Sequence, residues 1–266
     1  MSSIARIGHF VPMLCAIDGY DVDGFARIAA RFGQYRYGFV VTPNADHLIR
    51  LSEDEQFRRH YAAASYTLLD SRVVARLLDL SRGQHIPVCP GSELVEALFA
   101  GVIRPQDPLV LIGSSAEQAE ALRQRYGLRN LAHHNPPMGF VDDPVAVEAC
   151  LHFVEAHSPF RYCLLAVGSP RQEMLAHRLA ERGIARGLAL CVGASIDFLT
   201  GTERRAPQWM RSLCLEWAFR LAQSPGRLAQ RYLVRCPRVF GLLRQYEIVL
   251  RKAPLADASS TTPVGI

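Results

Sequence analysis

Short apolar runs alternate with longer segments of helical periodicity along most of the chain. Such runs, each followed by an amphipathic segment, are typical of buried parallel strands joined by helices. Strands are predicted within 4–17 and over residues 37–44, 66–70, 86–89, 109–113, 130–134, 162–168 and 188–193. Helices are predicted over 23–34, from 45 to about 64, and over 71–80, 91–99 and 115–126. The pattern indicates an α/β fold, a mostly parallel sheet with helices on both faces.

Small, amide and carboxylate residues follow the predicted strands. Ligands bind beyond the carboxyl ends of parallel strands, so these residues form the candidate site. Asp70 has two equally supported interpretations, a catalytic base or the N-cap of the next helix. Asp197 is placed to accept hydrogen bonds from a nucleoside base or sugar. The set comprises Thr42, Asn44, Asp70, Gly91, Ser92, Gly113, Ser114, Asn135 and the segments 168–172 and 193–197.

The segment 164–173, read LLAVGSPRQE, joins a predicted strand to a predicted helix. Ser169 is a favourable N-cap residue, and Pro170 is favourable at the first helical position. A helix N-terminus presents unpaired N–H groups and suits an anion such as a diphosphate. An ordinary strand-to-helix turn explains the same spacing equally well.

Positive charge is concentrated near the C-terminal end. Residues 203–252 carry ten Arg and one Lys against three Glu, whereas residues 1–202 have a slight acidic excess. On a continuous helix, five of these arginines lie within a sector of about 80°. Pro225 and Pro237 are expected to bend or divide that helix. The face is either a solvated basic surface or a contact with anionic lipid, which we favour. The five are Arg220, Arg227, Arg231, Arg235 and Arg238.

Several chemistries lack their sequence signatures. The chain has no Walker A lysine, GxSxG, HExxH or GxGxxG motif, which leaves transfer chemistry with a diphosphate leaving group. Its seven cysteines form no CxxC pair, so we expect reduced thiols in a cytoplasmic protein and no zinc site. His133 and His134 are interpreted as incidental. No signal segment or membrane-spanning apolar run is found, so a soluble or peripheral protein is expected.

A set of segments, taken in order, resembles the WecG/TagA/CpsF glycosyltransferase family over about residues 4–245. The resemblance implies a Rossmann-like core with a C-terminal appendage. We accordingly expect a catalytic core at 1–201, a basic helical appendage at 202–252 and a disordered tail at 253–266. The segments are Thr-Pro-Asn at 42–44, the Asp70 turn, Gly-Ser-Pro-Arg-Gln-Glu at 168–173, Gly-Ala-Ser-Ile-Asp at 193–197, Arg-Ala-Pro at 205–207, Glu216-Trp217, Arg220, Pro225, Arg227 and Arg231-Tyr232.

The resemblance implies an inverting transfer of a sugar from a UDP-sugar to a polyprenyl-diphosphate-linked saccharide. Such transfers build bacterial exopolysaccharides or other cell-surface polysaccharides on the inner face of the cytoplasmic membrane. No metal or other cofactor is expected. The expected partners also include an anionic membrane surface but no nucleic acid, and a homo-oligomer is left open. The implied catalytic residues are Asp70, as the base, and Thr42; donor-binding residues are Asn44, Gly168, Gln172, Ser195 and Asp197; acceptor-diphosphate residues are Arg220, Arg227 and Arg231.

Two departures from the family pattern bear on the donor sugar. Ser71 follows Asp70 where the family usually has Gly, and residues 91–94 read Gly-Ser-Glu-Leu in place of Gly-x-Asp-Leu. Pro-Val-Cys-Pro at 87–90 precedes the second motif, where the family often has an arginine. The donor is therefore either a neutral hexose such as glucose or an N-acetylmannosamine-type sugar. The alternative function is a catalytically inactive, membrane-associated nucleotide-sugar-binding protein.

Overall fold

The computed structural model describes residues 12–251. Its strands are β1 (Met13–Asp18), β2 (Tyr37–Val41), β3 (Tyr66–Thr67), β4 (Leu109–Ile112), β5 (Leu131–His134), β6 (Tyr162–Leu165), β7 (Gly187–Cys191) and β8 (Glu247–Arg251). Its α-helices are α1 (Val22–Arg31), α2 (Ala45–Glu53), α3 (Glu55–Ala62), α4 (Arg72–Arg82), α5 (Gly91–Gly101), α6 (Ala116–Tyr126), α7 (Pro144–Ala156), α8 (Arg171–Arg182), α9 (Ser195–Thr200), α10 (Gln208–Ser212), α11 (Glu216–Gln223), α12 (Pro225–Ala229) and α13 (Val239–Gln245). Two 3-10 turns, Phe140–Asp142 and Cys236–Arg238, and a π-helical segment, Gln230–Arg235, complete the helical elements.

The central sheet has six parallel strands in the order β3-β2-β7-β6-β4-β5. Alternate residues of its strands enter two separate apolar layers, so that on β6 Leu164 packs on one side and Leu165 on the other. Helices α1, α5, α6 and α9 cover the first side, and α2, α3, α4, α7, α8 and α13 cover the second. This is the predicted Rossmann-like α/β architecture. It brings the carboxyl ends of all six strands to one edge of the sheet.

A second, two-stranded sheet pairs β1 with β8 in parallel. The buried carboxylate of Asp18, at the end of β1, connects this pair to the central sheet. Its Oδ2 accepts a hydrogen bond from the Thr67 backbone N–H of β3 at 2.7 Å and from Arg251 Nη2 of β8 at 2.8 Å. One carboxylate therefore joins three strands that lie far apart in sequence.

The local structure differs from the sequence prediction at several points. Residues 86–89 form no strand, although the Cys89 N–H donates to the Leu69 carbonyl oxygen at 2.8 Å. The helix predicted from 45 to about 64 is two helices, because Asp54 adopts extended backbone and caps α3 by accepting from the Phe57 N–H. Helix α7 and strand β8 were not predicted. The expectations for residues 4–11 and for the tail at 253–266 lie outside the described residues.

The C-terminal region is helical, as predicted, and Pro225 and Pro237 mark its divisions. Pro225 begins α12, and Pro237 lies in the 3-10 turn that precedes α13. Val239, Leu242 and Leu243 of α13 are buried in the same apolar cluster as residues of α2 and α4. The boundary expected at residue 201 stays a prediction, but the segment beyond it contributes to the core.

Replacing Asp18 with Ala should destabilise the fold by about 2–4 kcal/mol, because it leaves the buried Thr67 N–H and the Arg251 guanidinium without their shared acceptor. Urea unfolding followed by circular dichroism measures the change. Asp23→Ala is the matched control, since Asp23 is exposed in the first turn of α1, and should cost no more than about 0.5 kcal/mol. Equal stability of the two variants would contradict the connecting role of Asp18.

Candidate functional site

Asp70 lies just beyond β3 and is held by backbone groups. Its own N–H donates to the Pro43 carbonyl oxygen at 2.9 Å, and its Oδ1 accepts from the Gly91 N–H at 2.9 Å. It does not cap the following helix. Ser71 does so, because its side chain accepts a hydrogen bond from the Val74 N–H. The N-cap interpretation of Asp70 is therefore wrong, because Ser71 fills that role and the Asp70 carboxylate binds Gly91 instead.

Burial raises the pKa of Asp70 from 3.8 to about 7. The Gly91 hydrogen bond opposes this effect, Glu216 adds a smaller upward contribution, and Arg220 and Asn44 lower the pKa. The loss of water around the carboxylate thus outweighs the donors and the cation nearby. A carboxyl group with a pKa near neutrality is suited to exchange a proton.

Thr42 and Gly91 lie directly beside Asp70. A Cβ placed on Gly91 would come within 3.1 Å of Thr42 Oγ1, so only glycine fits between the two turns without a shift. The same Gly91 supplies the N–H that binds Asp70. The structure therefore brings the two residues expected to be catalytic, Asp70 and Thr42, to one point at the carboxyl edge of the sheet.

Asn44 joins this point to the C-terminal region. Its Oδ1 caps α2 by accepting from the N–H groups of Asp46 and His47, and it also accepts from Arg231 Nη2 at 3.4 Å. Arg231 lies 3.6 Å from an Asp46 carboxylate oxygen as well. Asn44 and Arg231, expected to bind donor and acceptor respectively, are thus neighbours.

Arginines of the basic face predicted for the C-terminal helices pair with acidic groups of α2. Arg235 pairs with Asp46 at 3.1 Å and with Glu53 at 3.2 Å, and Arg238 pairs with Glu53 at 2.6 Å. Arg220 lies over the Phe198 ring and 3.9 Å from Glu203. The side chain of Arg227 lies outside the part of the chain that is described. The ion pairs of Arg235 and Arg238 attach the C-terminal region to α2.

Glu93 belongs to the Gly-Ser-Glu-Leu motif at 91–94, which differs from the usual Gly-x-Asp-Leu, and three arginines surround it. It pairs with Arg72 at 2.6 Å, with Arg205 at 3.2 Å and with Arg211 at 3.1 Å. Arg72 begins α4 just after Asp70, whereas the other two belong to the C-terminal region. The Glu93 carboxylate therefore attaches the C-terminal region to the start of α5, close to Gly91. The sequence pattern did not indicate this role.

The second half of the candidate site follows β6 and β7. Gly168 has φ +76°, a left-handed conformation that favours glycine, and a cis peptide joins Ser169 to Pro170. Helix α8 begins at Arg171 without a side-chain cap, so the prediction that Ser169 caps it is wrong. Gln172 is buried and accepts from the Gly193 N–H at 2.9 Å through Oε1. It therefore connects the β6 turn to the β7 turn.

Ser195 and Asp197 lie at the start of α9. Ser195 is buried and its hydroxyl donates to the Val192 carbonyl oxygen at 2.6 Å, which stabilises the turn. Asp197 accepts from Gln118 Nε2 at 2.7 Å through Oδ1. Gln118 belongs to a capping box with Ser115, which fixes its amide. The Ser-x-x-Gln spacing was the sequence signal that could have identified Gln118.

The two halves are adjacent because of the strand order. The turns after β3, β2, β7 and β6 carry Asp70, Thr42 with Asn44, the 193–197 segment and Gly168 with Gln172, and these strands are consecutive neighbours. Arg220 and Arg231 approach from the C-terminal region. The donor and acceptor roles of these residues stay predictions. Within residues 12–251, no group of three His, Cys, Asp or Glu side chains is arranged to hold a metal ion.

Fold and site together define an α/β protein in which the carboxyl edge of a parallel sheet holds a protonatable carboxylate next to arginines. A comparison with protein families is more specific, since the model of the glycosyl transferase WecG/TagA/CpsF family matches residues 13–253. The chain belongs to this family, and a glycosyltransferase role follows. Among the described residues, no helix is long and apolar enough to cross a membrane.

The raised pKa of Asp70 predicts a pH-dependent effect of Asp70→Asn on stability. In the wild type, the unfolded carboxyl loses its proton near pH 3.8 and the folded one near pH 7, so stability falls as pH rises between these values. The Asn variant lacks this loss. Its stability advantage should therefore grow from about pH 4 to about pH 7 and then stay constant.

Urea unfolding of both proteins at pH 5, 6, 7 and 8 measures this advantage. Asp142→Asn, at an exposed position in a 3-10 turn, should show no such trend. A constant difference between Asp70→Asn and the wild type across these pH values would contradict the assigned pKa.

Proposed function

We propose that the protein is an inverting glycosyltransferase that moves a sugar from a UDP-sugar to a polyprenyl-diphosphate-linked saccharide. Asp70 removes the proton from the acceptor hydroxyl, whose oxygen then displaces UDP from the anomeric carbon. The product belongs to a bacterial exopolysaccharide or another cell-surface polysaccharide. The donor is a neutral hexose such as glucose or an N-acetylmannosamine-type sugar.

The observation that carries the proposal is the environment of Asp70. One carboxylate oxygen is fixed by the Gly91 N–H, and the pKa of the group is about 7. Near pH 7, a fraction of the molecules has the unprotonated base, and that base is stronger than an ordinary aspartate. Thr42 borders the same point and positions the reacting groups.

Arginines stabilise the departing diphosphate in this proposal. Arg220 and Arg231 lie near Asp70 and Asn44 respectively, and Arg227 belongs to the same helical region. Guanidinium groups match phosphate oxygens in geometry and charge, so they neutralise the leaving group without a metal ion. Asn44, Gly168, Gln172, Ser195 and Asp197 form the donor side.

The membrane contact is proposed to be mainly apolar. Arg231, Arg235 and Arg238 are paired with acidic groups of α2, whereas large apolar side chains of the same region are exposed. Trp209 is 61% exposed, Leu213 62% and Val234 66%. Burying such side chains at the lipid interface holds the protein on the inner face of the cytoplasmic membrane, beside its lipid-linked acceptor.

Purified protein should transfer sugar from one member of a UDP-sugar panel to a short-chain lipid-diphosphate acceptor. Asp70→Asn should lower kcat about 10²–10⁴-fold, because it removes the base. Since the base must be unprotonated, wild-type kcat/KM should fall as pH drops below about 7.

Asp142→Asn should leave the rate unchanged. Near-wild-type turnover by Asp70→Asn would exclude Asp70 as the base. Wild-type protein that binds UDP but transfers no sugar to any acceptor would favour the inactive binding protein.

Vesicle sedimentation should separate the apolar from the basic contribution to membrane binding. On vesicles of phosphatidylglycerol and phosphatidylcholine, Trp209→Ser combined with Leu213→Ser should reduce binding about tenfold, because it removes two exposed apolar anchors. Val145→Ser, at an exposed position of α7, is the control and should bind normally. Full binding by the double variant would contradict the apolar contact.

A further inference from the structure

Glu173 is a fully buried carboxyl group that the proposed reaction does not use. It lies in the first turn of α8, has 0% exposure, and burial raises its pKa. Burying such a group costs free energy unless its partners compensate. The amide of the adjacent Gln172 donates from Nε2 to Glu173 Oε1 at 3.0 Å. This hydrogen bond is the largest of the contributions that lower the pKa of Glu173, ahead of its own backbone N–H, Ser169 and Arg50. A carboxyl group retained at this cost needs an explanation.

The hydrogen bonds around Gln172 fix the orientation of its amide. The Gly193 backbone N–H can only donate, so the amide oxygen of Gln172 must face it, at 2.9 Å. The amide nitrogen must then face Glu173, whose Oε1 accepts. If the amide were flipped, Gln172 Nε2 would face the Gly193 N–H, which is also a donor, and Gln172 Oε1 would face Glu173 Oε1, which is also an acceptor. Glu173 therefore disfavours the wrong orientation whether or not it carries a proton on its other oxygen.

Gly193 occupies the turn that joins β7 to α9. Its φ of +52° is in the left-handed region, and the segment that follows carries Ser195 and Asp197. Asp197 in that segment accepts a hydrogen bond from Gln118, at 2.7 Å. Two side-chain amides thus hold the turn and the start of α9, and the buried carboxyl group of Glu173 supports the orientation of the one contributed by Gln172.

We propose that Glu173 is a positioning residue, which holds the Gln172 amide in the one orientation that fixes the Gly193 turn. It does not contact the donor. It acts through Gln172 on the segment that carries Ser195 and Asp197. The consequence for UDP binding rests on the proposed function, whereas the restraint on Gly193 does not.

Hydrogen exchange at the Gly193 amide tests the restraint directly, without any ligand. In protein with ¹⁵N-labelled glycine, Gln172→Ala and Glu173→Leu should each speed Gly193 exchange about tenfold, because the acceptor is lost or misoriented. Glu173→Gln should stay within about twofold of wild type, since its side-chain oxygen can still accept from Gln172. Leu179→Ala, which removes a fully buried side chain farther along α8, controls for general destabilisation. In Leu179→Ala, exchange at Gly193 should not speed up more than exchange at the other slowly exchanging glycines.

UDP binding by calorimetry, combined with a double-mutant cycle, tests the functional consequence. Glu173→Leu should weaken UDP binding about tenfold, and adding it to Gln172→Ala should cause no further loss, because Glu173 acts through Gln172. Leu179→Ala should bind UDP normally. Unchanged Gly193 exchange in Glu173→Leu would overturn the inference, as would additive losses in the cycle. Accelerated Gly193 exchange in a protein whose wild type binds no UDP would overturn the proposed function and support the restraint.

Discussion

The hydrogen bond from the Gly91 N–H to the Asp70 carboxylate organises much of the candidate site. It joins the turn after β3 to the start of α5, and it fixes one oxygen of a carboxyl group that has lost most of its water. Thr42 lies so close to Gly91 that a side chain at this position would force it to shift. Glu93, in the first turn of the same helix, pairs with Arg205 and Arg211 of the C-terminal region. A small shift of α5 would therefore change the surroundings of Asp70 and the attachment of that region together.

Charge in the C-terminal region serves to attach that region to the rest of the fold. Arg235 and Arg238 pair with Asp46 and Glu53 of α2, and Arg205 and Arg211 pair with Glu93. The region packs through Val239, Leu242 and Leu243 on the side turned to the core and exposes tryptophan and aliphatic side chains elsewhere. The region is thus not a simple basic membrane face. Arg231 and Arg235 are partly buried against acidic partners of α2, whereas Arg238 is mostly exposed, as are several large apolar side chains.

Local sequence patterns predicted the core strands of the sheet well, because β2, β4, β6 and β7 are buried on both sides and read as continuous apolar runs. They also predicted which residues lie at the carboxyl edge of the sheet, because a residue that follows a parallel strand in the sequence lies beyond the end of that strand. Long-range pairing was not predictable. The pairing of β8 with β1, the ion pairs of Arg235 and Arg238, and the contact of Gln172 with Gly193 connect segments with no shared local signal. The strand predicted over residues 86–89 was wrong because an apolar run indicates burial, and irregular backbone can be buried as well as a strand.

The pairing of β1 with β8 has a consequence for how the chain acquires its structure. Met13 is matched with Glu247, so β1 has no β8 to pair with until nearly the whole described chain has left the ribosome. The central sheet is complete long before, at β7, and can form first. Until β8 arrives, β1 presents unpaired backbone groups, and Asp18 lacks Arg251. During synthesis, the backbone of β1 therefore waits for β8, which is the last strand among the described residues.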